Sequence, residues 1–436
     1  MLKKRLEDIK SANYILLLTY LGIFFYCILS EPIYSHDTFS YLRAMPYRQM
    51  GYVIFLKTLS AIFGSFFEIV VVGVHAALSL FSVHYFFKKV SKIFQLNIIL
   101  QILLLIVLVF PLFPPLRIAN NLVSEGLGYG LYLLFIALGI EIIFNKKHKS
   151  ITYFAITYLV LVTIRSQFII STLIFAGTYF LIHRKSWLQR KHIFSLVIFC
   201  GIILISSLTE RTYHLLKDGF FKPTPLGYTS ASTAPIYLSQ KSDYKLILDK
   251  DYQEILRRSY DTLVQKDLLK KPDYSTKEAY KFFHDNLPKI CNQTVRQQGT
   301  DYYLNNQRPD DWDANKISAY AYFETEAACK EYTKVLILNN FQQWLKFYYA
   351  NITYGFKSQL LLWFVVVMFV FSFIRVLIDF KKKYGIVFLL SSLILSNAMF
   401  IAFASHSIQR YLFYNYALIF LLFLSTYNLV KRESKA

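Results

Sequence analysis

Residues 359–378 read QLLLWFVVVMFVFSFIRVLI, and Arg375 is the only charged residue in this stretch. A helix of about 20 mainly apolar residues is long enough to cross the hydrocarbon core of a bilayer. The stretch therefore predicts a membrane-spanning helix, so that the bilayer is the solvent that decides the fold.

The same pattern recurs along the whole chain. Of its 436 residues, 55% are hydrophobic and 18% are aromatic, and the mean hydropathy is +0.37. The apolar residues form long blocks rather than the alternating or amphipathic patterns of soluble strands and helices. We therefore predict an all-α polytopic membrane protein with about ten transmembrane helices. The predicted spans lie near residues 14–30, 66–87, 94–113, 122–144, 151–164, 168–182, 193–209, 359–378, 384–403 and 411–430.

The two predicted spans on either side of Arg165 are short for a full crossing. A charged side chain that faces lipid inside the bilayer is costly, whereas one that lines an aqueous cavity is tolerated. We therefore expect segments 151–164 and 168–182 to form a hairpin whose tip dips below the outer surface, with Arg165 in a water-filled cavity.

The formal net charge of +21 raises the question of a nucleic-acid partner. The basic residues, however, cluster in alternate loops between the predicted spans, as is typical of the cytoplasmic side of a membrane protein. No basic stripe remains for a phosphate backbone, so we predict no nucleic-acid partner. The pattern instead predicts a multi-pass membrane protein with cytoplasmic termini. The clusters are Lys3–Arg5, Lys88–Lys89, Lys146–Lys147, Arg184–Lys185, Arg190–Lys191, Lys381–Lys383 and Lys431–Arg432.

One long stretch breaks the hydrophobic pattern, and the predicted topology places it outside the membrane. It holds Ser275 and Glu278, whose spacing fits a capping box at the start of a helix that runs toward Cys291. No strand alternation of useful length occurs there, so we expect a small, mainly helical external domain. Cys291 and Cys329 lie in this domain either as a disulfide or as two free thiols. The predicted parts are 1–208, which includes a first-loop segment at 31–64, the external domain at 209–355, and 356–436.

A short polar segment, Ser35 to Tyr41, follows the first predicted span. Its acid, Asp37, has no evident structural task at the outer end of an apolar helix, and a lipid-linked substrate could reach it there. We predict that Asp37 is a catalytic carboxylate. His36, Tyr41 and, further along the loop, Arg48 are then candidates for substrate binding.

Further polar side chains lie at the predicted outer ends of other spans. A single arginine there is commonly an interfacial anchor, but several in very short outer loops run against the positive-inside rule and favour an anion site. Guanidinium groups suit the phosphate or diphosphate of a polyprenyl carrier. The predicted substrate-binding residues in this set are Arg117, Glu125, Arg165, His406 and Arg410. For Glu125, a carboxylate that stabilises the first turn of a helix is the alternative.

Taken in order, several of these segments resemble the GT-C superfamily of polyprenyl-phosphate-sugar glycosyltransferases, whose relatives include aminoarabinose transferases and protein O-mannosyltransferases. The resemblance covers residues 1–208 and 356–436. The matching segments are Asp37 in the first outer loop, Tyr47–Tyr52 before an interfacial helix, Ser124–Leu127 opening a span, Arg165 between two short spans, and Arg410–Tyr411 opening the last span. The chain also departs from the family, because His36 precedes a single Asp37 where paired acids are common, and Gln49–Met50 replaces a Pro-rich stretch.

The resemblance implies a GT-C-like fold and a hexosyl or pentosyl transferase (EC 2.4) with Asp37 as its catalytic base. In such a reaction the carboxylate takes a proton from an acceptor hydroxyl as the oxygen attacks the anomeric carbon, and the lipid phosphate leaves toward the arginines with inversion. The donor would be a polyprenyl-phosphate-linked sugar, and the acceptor an envelope glycan, lipid or protein at the periplasmic face, with membrane lipid around the site. No cofactor or metal is required, although a divalent cation between Asp37 and Glu125 stays an alternative.

Two other classes of protein fit parts of the pattern. An O-antigen or capsule polymerase or ligase also joins lipid-linked glycans, but its key residues should be basic and concentrated in the large external loop. A flippase or transporter would place charges near the membrane midplane and often shows repeated halves. This sequence shows no repeat, and its polar residues lie at one end of the predicted spans, which favours chemistry at the outer face.

Overall fold

The computed structural model describes residues 2–145, 148–306, 311–379 and 381–433. Within these ranges the regular elements are helices, and β pairing is limited to an isolated parallel bridge between Ile33 and Asn121. The prediction of an all-helical chain is confirmed. The predicted basic pair Lys146–Lys147 lies outside the described residues.

The helices follow one another in three groups. The N-terminal group is α1 (Leu2–Leu29), α2 (His36–Leu42), α3 (Met50–Phe63), α4 (Phe67–Phe94), α5 (Ile98–Val109), α6 (Glu125–Asn145), α7 (Ile151–Ile164), α8 (Ser171–His183) and α9 (Arg190–Asp218). The polar segment holds α10 (Gly227–Ala231), α11 (Thr233–Tyr237), α12 (Lys250–Gln265), α13 (Thr276–Ile290), α14 (Gln297–Asn306), α15 (Ala314–Asn339) and α16 (Phe341–Phe356). The C-terminal group is α17 (Gln359–Ile378), α18 (Lys382–Ala404), α19 (Gln409–Leu412) and α20 (Asn415–Glu433).

Length and composition make this a helical membrane protein. In the described ranges, 6 helical segments are long and apolar enough to cross a membrane: Met50–Phe94, which contains α3 and α4, Glu125–Asn145, Ser166–His183, Arg190–Asp218, Gln359–Ile378 and Lys382–Ala404. Other predicted spans correspond to shorter apolar helices, at Asn13–Leu29, Ile98–Leu112, Ile151–Ile164 and Asn415–Leu429. Ten crossings and the sidedness of the loops stay predictions.

Helix α6 is the centre of the membrane part, because it is the most enclosed of the candidate spans. It packs against α4, α7 and α8. Glycines allow this close approach, since a Cβ at Gly126 would lie 2.2 Å from Nδ1 of His75, and a Cβ at Gly139 would lie 2.1 Å from the ring of Phe175. The helix begins at Glu125, so the same packing fixes the position of a predicted site residue.

A second hydrophobic core lies within the polar segment. Helices α11 to α16 contribute buried side chains to it, among them Tyr237, Phe283, Tyr332 and Phe347. The capping box predicted at the start of α13 is confirmed, because the backbone N of Ser275 donates to Glu278 at 2.9 Å and the backbone N of Glu278 donates to Ser275 Oγ at 3.3 Å. Cys291 and Cys329 are buried, free thiols. The boundaries and external location of a domain here stay predictions.

Asn351 on α16 joins this segment to the membrane part. Its side-chain amide donates to the carbonyl of Ser405 at 2.8 Å. Its Oδ1 accepts from the Tyr280 hydroxyl at 2.6 Å and from the backbone N of Ser407 at 2.9 Å. These bonds hold the loop between α18 and α19, and that loop leads directly into Arg410.

Candidate functional site

Asp37 lies in the first turn of α2, the short helix that follows the first apolar helix. Its Oδ1 lies 2.5 Å from Nη2 of Arg48, and its Oδ2 lies 2.6 Å from Nη2 of Arg410. Arg48 comes from the loop before α3, whereas Arg410 belongs to α19 and lies 373 residues along the chain from Asp37. The fold thus brings one predicted carboxylate between two predicted arginines.

Ser40 and two tyrosines hold Arg48 in place. The Nε of Arg48 donates to Ser40 Oγ at 2.7 Å. Its guanidinium carbon lies 4.8 Å from the ring centroid of Tyr41 and 5.2 Å from that of Tyr47. Tyr41 is buried and packs edge-on against Tyr52. Tyr41, predicted to bind substrate, supports Arg48 in this structure.

Glu125 begins α6, and only 2% of its side chain is exposed. Its Oε1 lies 3.0 Å from Nη1 of Arg165 and 2.7 Å from Nε of Arg410. Neither contact is aligned as a hydrogen bond, because this Oε1 has no hydrogen-bond donor among the described residues. The attraction between Glu125 and the two arginines is therefore mainly Coulombic.

Arg410 joins the two carboxylates, since its Nη2 contacts Asp37 and its Nε faces Glu125. We call Asp37, Arg48, Glu125, Arg165 and Arg410 the charged cluster. It combines three guanidinium groups with two carboxylates, so the ionised cluster carries one positive charge in excess. A further anion would neutralise it.

Polar side chains hold Arg165, and sequence reasoning missed the amides among them. Its Nε and Nη2 donate to Oε1 of Gln167 at 3.1 and 2.7 Å, and its Nη1 donates to Ser124 Oγ at 3.1 Å. Gln167 donates in turn to Asn397 at 3.2 Å, and Asn397 donates to Asn415 at 3.1 Å. Amides inside apolar segments are the signal that could have identified them, because polar groups in membrane helices are costly unless they are bonded.

The two arginines that contact Asp37 control its acidity. Burial alone would raise the pKa of its carboxyl, but the charges and hydrogen bonds of Arg48 and Arg410 lower the pKa to about 2. The carboxylate is therefore ionised at neutral pH, and it is a very weak base as long as both arginines contact it. A role for Asp37 as a base requires that the arginines move away.

Arg117 was predicted to bind the same anion, but its guanidinium contacts the backbone after α1. Its backbone has a φ of 41°, and its Nη2 donates to the carbonyl of Glu31 at 3.2 Å. In the part of the chain that the structure describes, Arg117 forms no ion pair with Asp37 or Glu125. Its placement differs from the prediction because the turn at this residue directs the guanidinium to the backbone that follows α1.

Among the described residues, the two predicted histidines take no part in the arginine–carboxylate contacts. The side chain of His36 is exposed and forms no hydrogen bond with any described residue. The Nδ1 of His406 donates to the carbonyl of His284 at 3.2 Å, and the two rings lie 4.7 Å apart. Burial and the neighbouring His284 lower the pKa of His406 to about 4, so His406 is neutral at pH 7. It ties the loop before α19 to α13.

The charges around Asp37 and Glu125 favour an anion over a metal ion. Within the described ranges, no group of three or more His, Cys, Asp or Glu residues could hold one. Asp37 and Glu125 face arginines instead. A cation between these carboxylates would meet three guanidinium charges, so electrostatics favour an anion there.

Comparison with protein-family models, with curated proteins and with solved structures found no match for this chain. The resemblance to the GT-C superfamily therefore stays a hypothesis drawn from the sequence motifs. The observations that bear on function are therefore the geometry and the net charge of the charged cluster.

Proposed function

We propose that this protein is an integral-membrane glycosyltransferase of the GT-C type, which moves a sugar from a polyprenyl-phosphate carrier to an envelope glycan, lipid or protein. The observation that supports this most is the charged cluster, in which three arginines face two carboxylates at the ends of apolar helices. Such a cluster suits a phosphate anion next to an acid that can act as a base. The reaction would take place on the outer face of the bacterial inner membrane.

Arg48 and Arg410 are the arginines that a donor phosphate would meet. Arg165 is only 9% exposed and is occupied by Gln167 and Glu125, whereas 37% of the Arg410 side chain is exposed. A guanidinium group offers N–H donors to two phosphate oxygens at once. One phosphate charge would also neutralise the excess positive charge of the cluster.

Donor binding would activate Asp37. A phosphate that draws Arg48 and Arg410 away removes the charges that hold the pKa of Asp37 near 2. The pKa of the carboxyl then rises toward the ordinary value of about 4, and burial raises it further. The weak base of the resting protein becomes a competent base only when the donor is in place.

The transfer itself is a single displacement. Asp37 takes the proton of an acceptor hydroxyl while the acceptor oxygen forms a bond to the anomeric carbon of the donor sugar. The bond between that carbon and the phosphate oxygen breaks, and the lipid phosphate keeps the electron pair, stabilised by Arg48 and Arg410. The anomeric centre is inverted. General-base catalysis of this kind contributes about 10² to 10⁴ to the rate.

Glu125 would keep Arg410 in position during this exchange. When Asp37 releases Arg410, the Glu125 carboxylate still lies 2.7 Å from its Nε. Arg410 can then turn its Nη2 toward a phosphate without losing its anchor. Arg165 keeps its hydrogen bonds to Gln167 and Ser124.

An apolar groove offers a place for the hydrocarbon tail of the carrier. It has a volume of about 660 Å³, lies between α5, α17 and α20, and is lined by Gln409, the neighbour of Arg410. Lys357 and Asn415 also line it, and most of the other lining residues are apolar. A lipid whose tail lies in this groove could place its phosphate at Arg410.

Mass spectrometry of envelope glycans and lipid intermediates, with and without this protein, tests the proposal. Loss of the protein should leave one sugar missing from an envelope molecule and let its polyprenyl-phosphate donor accumulate. Unchanged glycans and carriers would contradict the proposal. A lipid-linked glycan trapped at the inner face would identify a flippase, and glycan chains left unpolymerised or unligated would identify a polymerase or ligase.

A further inference from the structure

Tyr47, in the loop that carries Arg48, contacts the polar helical segment. Its ring centroid lies 5.1 Å from that of Tyr322 on α15. The guanidinium carbon of Arg296 lies 4.5 Å from the same ring, and that of Arg48 lies 5.2 Å from it. Two arginines from distant parts of the chain therefore meet at one aromatic ring, next to the contact between Arg48 and Asp37.

An uncommon helical geometry places Arg296 at this ring. Residues Cys291–Arg296 form a π-helix between α13 and α14. Thr294 and Val295 within it are buried. π-helical turns are rare and occur frequently at functional sites. The buried side chains of Thr294 and Val295 thus anchor the π-helix, and Arg296 at its end contacts Tyr47.

Arg296 forms no ion pair with a carboxylate among the residues that the structure describes, and its Nε is buried without a hydrogen bond. Burial raises the pKa of the Glu326 carboxyl and the charge of Arg296 acts in the opposite direction, so the two side chains lie within electrostatic range. Its carboxylate accepts from the backbone N of Tyr228 at 2.6 Å and from the backbone N and hydroxyl of Thr229, each at 2.7 Å. The Glu326 carboxylate is therefore already hydrogen-bonded to the start of α10.

Other arginines of the same segment behave differently. Arg257 and Arg258 on α12 both bond the carboxylate of Glu254 at 2.8 Å, although both are more than a third exposed to solvent. Arg296 is half-buried and has Tyr47 as its partner instead. A partly buried guanidinium that forms no direct ion pair keeps part of its desolvation cost, and a bound anion would lower that cost.

We propose that Arg296, together with Tyr47 and Arg48, binds a second anionic group of the substrates, a phosphate or a carboxylate. This inference rests on the proposed function, because it assigns the first phosphate to Arg48 and Arg410. The second anion has two sources, the second phosphate of a polyprenyl diphosphate donor or a carboxylate on an acidic acceptor sugar. Arg296 would make the polar segment part of substrate recognition.

Calorimetric titration of the full-length, detergent-purified protein tests this with three probes: farnesyl phosphate, farnesyl diphosphate and glucuronic acid. The variants are Arg296→Gln and, as a matched control on the same segment, Arg257→Gln. Arg296→Gln should weaken binding of farnesyl diphosphate or of glucuronic acid by at least about tenfold and leave farnesyl phosphate unchanged. Arg257→Gln should leave all three affinities unchanged.

The pattern of losses identifies the source of the anion. A loss confined to farnesyl diphosphate assigns the site to the carrier, and a loss confined to glucuronic acid assigns it to the acceptor. Arg296→Lys keeps the charge and should recover part of the lost affinity. Two results would overturn the inference and leave the proposed function standing. The first is unchanged binding of all three probes by Arg296→Gln. The second is an equal loss of affinity for all three together with a lowered unfolding temperature. A wild-type protein that bound none of the probes would contradict the proposed function itself.

Discussion

Replacing Glu125 by Gln should destabilise this protein far more than the same change at Glu254. Each carboxylate contacts two arginines at similar distances, 3.0 and 2.7 Å for Glu125 and 2.8 Å for both contacts of Glu254. They differ in exposure, because 2% of the Glu125 side chain and 31% of the Glu254 side chain is exposed to solvent. The comparison therefore sets buried Coulombic contacts against exposed, hydrogen-bonded ion pairs within one helix.

The substitution Glu125→Gln keeps the size of the side chain but leaves Arg165 buried without its counter-ion. Breaking a buried ion pair in this way costs about 3–5 kcal/mol, whereas breaking an exposed pair costs about 0–1 kcal/mol. The Coulomb attraction at the 3.0 Å contact is of the same order, about 5.5 kcal/mol at an effective dielectric constant of about 20. Because Arg410 still has Asp37, we expect a loss near the lower end, about 3 kcal/mol.

Denaturant titration of the purified protein in detergent, followed by tryptophan fluorescence, measures both changes. Glu125→Gln should lower the unfolding midpoint strongly, and Glu254→Gln should hardly move it. The double variant Glu125→Gln with Arg165→Gln also removes the orphaned charge and should recover part of the loss. Equal shifts for the two single variants would refute the reasoning that burial makes the ion pairs of the cluster strong.

Other parts of the molecule give three further predictions. The pKa of Asp37 is about 2 in the folded protein and about 4 in the unfolded chain, so its ion pairs stabilise the fold above about pH 4 and lose this contribution as the pH falls toward 2. The unfolding free energies of wild type and Asp37→Asn should therefore differ at pH 7 and converge near pH 2. Arg165→Lys keeps the charge but loses the paired bonds to Gln167 and the bond to Ser124, so denaturant unfolding should show a loss of about 1–3 kcal/mol, and unchanged stability would contradict this role. Lys250 is exposed, so a Lys250→Cys variant should react with an impermeant maleimide from outside intact cells, with the unsubstituted protein as the background. Labelling only after permeabilisation would show that the predicted topology is wrong.

The helical fold could be predicted because a membrane helix satisfies its own backbone hydrogen bonds and needs a long apolar run. The stretch at 359–378 and the helix Gln359–Ile378 have the same bounds. The bounds of the predicted segment 151–164 also agree with Ile151–Ile164, yet that helix is too short to count as a span by length. Sequence therefore located these helices, and the number of them that cross the membrane stays a prediction.

The charged cluster could be predicted only in part. Asp37, Arg165 and Arg410 stood out because charged residues next to long apolar runs are rare and costly. Their pairing could not be read from the chain, since Asp37 and Arg410 lie 373 residues apart. Arg117 had the same sequence signal, but its backbone turn directs it to Glu31. Gln167 was missed because it is uncharged, although an amide inside an apolar segment is also costly unless it is bonded.

Turnover by a purified Asp37→Asn variant tests the central claim, that Asp37 becomes a catalytic base when a donor phosphate takes its arginines. Asn keeps the shape and hydrogen-bonding capacity of the side chain but cannot take up the proton. With a polyprenyl-phosphate sugar as donor, we predict that transfer falls by at least about 10². Donor binding should stay equal or become tighter, because Arg48 and Arg410 no longer have to leave a carboxylate. Asp261→Asn, at an exposed partner of Arg257, is the control and should keep wild-type turnover. Near-normal turnover by Asp37→Asn would contradict the claim.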